Sequence, residues 1–162
     1  MKREDHKKLL IGWGNELRGD DAAGRLTARH VALWHTPDIE VMDIHQLTPE
    51  LSYWIANSAH VIFVDAYPSL EPSTLRLSPI LPGSDTSVSS LHHVTPSFLV
   101  TMAHALYGQC PPALQIGIPA LRMDICAEVS SFAQASVIEA LDVIREAWAL
   151  DTCRVSDDKN RR

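Results

Sequence analysis

The chain has 162 residues, 46% hydrophobic and 21% charged, with a formal net charge of -6. That length and composition suit one folded domain and exclude a wholly disordered chain. The longest apolar runs fall short of the about 18 residues that a membrane helix needs, no cleavage-site pattern follows the charged MKREDHKK start, and an acidic balance with no basic stripe argues against a nucleic-acid surface.

In chain order, KLLIGW (8 to 13) is a short apolar run closed by glycine, the pattern of a buried strand. Asp20 or Asp21 can cap the helix that follows, with Ala23, Leu26, Leu33 and Trp34 at helical spacing. IEVMDI (39 to 44) is the next strand. Thr48-Pro49-Glu50 then opens a helix, with Thr as cap, Pro in the first turn and an acid facing the positive end of the dipole. HVIFVDA (60 to 66) is a β-branched buried strand, and TLRLSPI (74 to 80) alternates like an edge strand. Residues 78 to 90 are rich in Ser, Pro and Gly and read as a mobile loop. Thr95-Pro96 starts a helix whose apolar face carries Phe98, Leu99, Met102 and Leu106, and Gly108 ends it. LQIGIP (114 to 119) is a further buried strand. The last helix spans about 129 to 148, with Val129, Phe132, Ala133, Val137, Ala140, Leu141, Ile144 and Trp148 on one stripe. Residues 1–151 thus form one α/β domain, and 152–162 a polar, disordered tail. Strand-helix alternation predicts a three-layer αβα fold, with a mostly parallel twisted sheet of about five strands and helices on both faces.

In such folds ligands sit beyond the carboxyl ends of the strands. Three loops belong there: GWGNELRGDDAAG (Gly12 to Gly24), the strand end at Asp65, and SLHHVTP (Ser90 to Pro96). The first holds Gly12-x-Gly14, but Leu17 stands where the third glycine of a dinucleotide loop belongs. Asp20 and Asp21 would also repel a pyrophosphate at the helix start. Two carboxylates and a histidine instead offer donors that zinc or nickel accepts, with room for water or substrate at an open position. Each residue also has a plain structural reading. Asp20 serves as a helix cap and Asp21 as a favourable charge on the dipole. Asp65 resists such a reading, because a carboxylate ending an apolar strand needs a partner. Asn15 either braces the glycine turn or presents its amide to a substrate. His92 and His93 are adjacent and point in different directions. His45 and Glu50 flank the second loop as cap or surface groups. Cys110, Cys126 and Cys153 are odd in number and lack metal-ligand spacing, so they read as ordinary thiols of a reducing cytoplasm.

These segments resemble a known family. GWGNELRGDDAAG resembles the opening signature of the hydrogenase maturation endopeptidases. VIFVDA resembles their strand-end aspartate, and Ser90-Leu-His92-His-Val94 their serine-x-histidine-x-aliphatic segment. HQLTPEL (His45 to Leu51) is similar to the second loop of some members, where others carry a glycine pair. The likeness runs in order over roughly residues 8 to 149. It implies an endopeptidase of aspartic or metal-assisted type that removes a C-terminal extension from a nickel-iron hydrogenase large-subunit precursor after nickel insertion. Asp21, Asp65 and His92 would be its metal-contacting and catalytic residues, and His92 matches the register better than His93. The nickel would arrive with the precursor, and no tightly held organic cofactor is implied. The alternatives are a zinc-dependent hydrolase using the same three residues and a non-catalytic precursor-binding chaperone. The expected setting is cytoplasmic, away from nucleic acid and membrane, with a monomer as the expected state.

Overall fold

The computed structural model describes residues 6–83 and 94–149. Strands β1 (Lys8–Trp13), β2 (Ile39–Ile44), β3 (His60–Pro68), β4 (Arg76–Ile80) and β5 (Ala113–Ala120) form one sheet in the order β2-β1-β3-β5-β4. The first four neighbours in that order run parallel, and β4 closes the edge antiparallel to β5. Helices α1 (Ala23–Ala32), α2 (Leu51–Ala56), α3 (Pro96–Tyr107) and α4 (Ser131–Ala147) cover it. Among the described residues no helix is long and apolar enough to cross a membrane.

The three layers follow from the period-two alternation of the strands. Leu9, Ile11 and Phe63 point to one face and pack with Leu51, Ile55, Leu99, Val100 and Ala103 of α2 and α3. Leu10, Ile62, Val64, Ile116 and Ile118 point to the other and pack with Ala28, Val31, Val137, Leu141 and Ile144 of α1 and α4. Both faces are buried, so the central strands read as continuous apolar runs.

The mostly parallel sheet with helices on both faces is as expected, and several local details differ. Neither Asp20 nor Asp21 caps a helix: a 3-10 turn over Gly19–Ala22 leads into α1 with no side-chain cap. The α1 stripe ends before Leu33, which is exposed, because the helix stops at Ala32. Thr48 is not an N-cap either. Its carbonyl accepts from Leu51 N in a preceding turn, and α2 begins only at Leu51. On α3 the buried positions are Pro96, Leu99, Val100 and Ala103, while Phe98 and Leu106 face outward. Thr95 does cap α3, accepting from Phe98 N, and Gly108 ends it in the left-handed region at φ 67°. Residues 78–80, where the edge-strand and loop readings overlap, belong to edge strand β4, which starts at Arg76 and not at Thr74. Of the same loop, residues 81–83 follow the strand as a turn, while residues 84–90, like the tail from 152 to 162, lie outside the described residues.

Candidate functional site

Two glycines explain how the first loop reaches the carboxyl ends of the strands. Gly14 sits at φ 145°, in the region that favours glycine, and a Cβ there would strike the carbonyl oxygen of Asp21. A Cβ on Gly24, in the first turn of α1, would collide with the carbonyl of Val64 and lie 2.5 Å from that of Trp13 and 3.1 Å from Cα of Asp65. Only hydrogen at position 24 lets α1 start directly on the ends of β1 and β3. The 3-10 turn bearing Asp21 is thereby held beside Asp65.

The loop is secured from within and from across the molecule. Asn15 N donates to Asp21 Oδ2 at 3.0 Å, and Asn15 Oδ1 accepts from Leu17 N at 2.9 Å. Asn15 therefore braces its own turn, and its backbone N–H is already committed to Asp21. Asp20 is fully buried. Its carboxylate accepts from Leu121 N (2.9 Å), Arg122 N (3.0 Å), Ser130 N (2.7 Å) and Ser130 Oγ (2.9 Å). Its role is structural, as read from sequence, but the groups it holds come from the β5–α4 connection and not from its own helix. Ser130 Oγ in turn caps α4 by accepting from Ala133 N. Glu16 and Asp43 add a shared ion-pair network with Arg25 and Arg29. Burial pushes the Asp43 carboxyl up, but hydrogen bonds from Arg25 and Arg29 outweigh it and hold the group below the ordinary carboxylate range.

Asp65 lies at the carboxyl end of β3, partly buried. The partner its position demands is Gln115 on β5, whose Nε2 stands 3.2 Å from Oδ1 and 3.3 Å from Oδ2. Burial raises the Asp65 carboxyl from 3.8 to about 6; the Gln115 hydrogen bond works against the rise, and the nearby Asp21 charge adds to it. The two carboxylates are thus electrostatic neighbours. Among the described residues Asp21 Oδ1 makes no hydrogen bond.

Asp65 opens into a cleft of about 490 Å³ on the α3 face of the sheet. Trp13, Gln115, Ser78 and Ile80 line it from the strands, and Val94 to Ser97 at the start of α3 form its other wall. Trp13 is held edge-on to Phe63 at 6.3 Å between ring centroids. His92 and His93 lie outside the described residues. Among the described residues no three His, Cys, Asp or Glu side chains are grouped to hold a metal ion. His45 and Glu50 are exposed, and the free thiols Cys110 and Cys126 take no part in these contacts.

No family model and no curated protein matches the sequence. Solved structures do match. The nickel-iron hydrogenase maturation protease HycI of Thermococcus kodakarensis superposes with a TM-score of 0.70 at 22% identity, over 87% of this chain and 91% of that one. The hydrogenase 2 maturation peptidase of a Thaumarchaeota archaeon gives 0.66 at 25% identity, over 90% and 99%. The Escherichia coli hydrogenase maturating endopeptidase HybD gives 0.65 at 22%, over 88% and 92%. This is the fold of the hydrogenase maturation proteases. On that maturation-protease fold, Asp21 and Asp65 stand together at the carboxyl rim of the sheet. Gln115 is the site residue that sequence reading missed. Its signal was present: a glutamine inside the apolar run LQIGIP is a polar group in a buried strand and calls for a partner.

Proposed function

We propose that this chain is an endopeptidase that removes the C-terminal extension of a nickel-iron hydrogenase large-subunit precursor after nickel has been inserted. The observation that carries the reading is the pair Asp21 and Asp65, two neighbouring carboxylates at the strand ends of a maturation-protease fold, one of them opening into a cleft. Two like charges brought together beside a partly buried cleft are unfavourable alone and become favourable when a cation arrives. The precursor's nickel is a cation of the right class for carboxylate and imidazole donors. His92 is proposed as the third donor; Val94, two residues further along the chain, lines the cleft. The nickel is cargo of the substrate, so docking itself tests whether the precursor is loaded. The carboxylates orient the client chain by its metal, and the cleft receives the segment to be cut.

Co-expression with a precursor tests this. Mass spectrometry is expected to show loss of the C-terminal peptide only when nickel is supplied. Asp65→Asn and His92→Ala are each expected to abolish that loss without changing the circular dichroism, while His93→Ala retains it. Normal processing by both the Asp65 and His92 variants refutes the site. Stoichiometric zinc that survives dialysis, together with cleavage of generic peptides, would replace the reading by a zinc hydrolase; binding without peptide release would replace it by a chaperone.

A further inference from the structure

Gln115 and Phe63 are register partners on β5 and β3, so their side chains share a face. Asp65, two residues beyond Phe63, lies on that face one step nearer the rim. From this diagonal position the Gln115 amide sits almost symmetrically across both carboxylate oxygens, at 3.2 and 3.3 Å. An ionised carboxylate only accepts, so the NH2 end of the amide faces it. Among the described residues Gln115 is the side chain that hydrogen-bonds Asp65; the charge nearby, Asp21, is of the same sign.

The residue type is informative. Lysine or arginine here would orient the carboxylate but also neutralise it. An apolar side chain would leave it without a donor. A neutral amide fixes the direction of the oxygens and leaves the negative charge available to an incoming cation, the task performed by residues behind metal-binding carboxylates. We propose that Gln115 is a positioning residue that presents the Asp65 carboxylate to the cation carried by the client protein. The proposal rests on the functional reading above and adds the specificity-determining residue to it.

The test measures affinity of the full-length protein for the nickel-loaded and nickel-free precursor of a nickel-iron hydrogenase large subunit. The wild type is expected to prefer the loaded form, and Asp65→Asn to lose that preference. Gln115→Met, similar in length with no donor, is expected to reduce the preference roughly 10- to 100-fold. Gln115→Leu, also without a donor and without a charge, is expected to reduce it by a similar factor. The quantity read is the ratio of the two affinities, so an effect of this cleft-lining residue on the client chain itself, common to loaded and nickel-free precursor, divides out. The double variant Asp65→Asn/Gln115→Met binds loaded precursor no more weakly than Asp65→Asn alone, because Gln115 acts through Asp65. Loss of preference in Asp65→Asn with full preference in both Gln115 variants overturns the positioning role and leaves the site reading standing. Equal weakening toward loaded and nickel-free precursor also overturns it, since that is a packing effect. Full preference in Asp65→Asn overturns the site reading itself. Should Gln115→Met not fold, Gln115→Leu carries the comparison alone.

Discussion

Asp65→Asn makes a stability prediction that is independent of any substrate. In the metal-free protein burial lifts the Asp65 carboxyl from 3.8 to about 6. The folded state therefore holds the proton more tightly than the unfolded chain. Stability is greatest below 3.8, falls as pH rises through the window from 3.8 to about 6, and stays reduced above it. A shift of about two units, at about 1.4 kcal/mol per unit, puts the penalty near 3 kcal/mol at pH 8. Asparagine has almost the same shape, carries no charge, and can still accept from the Gln115 amide through its own carbonyl. The variant is therefore expected to be more stable than wild type by about 3 kcal/mol at pH 8 and by under about 1 kcal/mol at pH 4. Urea denaturation of both proteins at the two pH values, with chelator present, reads this directly. Titrating groups that do not act on position 65 cancel in the difference between variants. An Asp65→Asn protein that is less stable than wild type at pH 8, or equally shifted at both pH values, would refute the account of Asp65 as a carboxylate held against its own desolvation. The same substitution is expected to abolish processing, so stability and function pull in opposite directions at this residue.

Two further outcomes follow from groups outside the cleft. Asp20→Ala leaves the N–H groups of Leu121, Arg122 and Ser130 without their acceptor and is expected to destabilise the fold by about 3 kcal/mol or more; an unchanged denaturation midpoint would remove Asp20 from its structural role. At the opposite end of the sheet, Trp148 Nε1 donates to His60 Nδ1 at 3.0 Å, a bond that needs the neutral ring. Burial, and then the Lys8 charge, push the His60 pKa below 6.5. The folded state thus binds fewer protons than the unfolded one, so this contribution is complete above pH 6.5 and declines as pH falls through 6.5 toward the folded value. A proton NMR titration is expected to place the His60 midpoint below 6.5, and a midpoint at or above 6.5 contradicts the buried, neutral ring.

The strands were the most legible part of the chain. Runs such as HVIFVDA and LQIGIP are apolar on both faces, which only a sheet covered on both sides tolerates, and β3 and β5 lie where they were read. The α4 stripe was equally plain from Ala133 on, because Ala133, Val137, Ala140, Leu141, Ile144 and Trp148 repeat at helical spacing and are all buried; its first two positions were misread, since Val129 precedes the helix, which begins at Ser131, and Phe132 is only partly buried. The helix starts at Asp20 and Thr48 were misread. A cap signal describes what a side chain can bond locally, whereas Asp20 turned inward to satisfy three backbone N–H groups more than 100 residues away in sequence. Phe98 and Leu106 on α3 misled for a related reason. Hydrophobicity suggests burial, but the direction of a helix against its sheet selects which stripe is covered, and here it is Leu99, Val100 and Ala103.

At the site, the sequence by itself determined the chemistry available: carboxylates at the ends of two strand-loop units, a glycine loop able to turn tightly, and an apolar strand ending in an acid that had to find a partner. Tertiary structure alone decided which groups meet. Gly24 permits α1 to begin on the strand ends and so brings Asp21 beside Asp65, and the β3–β5 register puts Gln115 under the Asp65 carboxylate. Such pairings depend on the order and offset of strands that are far apart along the chain. Local spacing carries no record of that offset; it is settled when the two hydrophobic faces of the sheet are buried together.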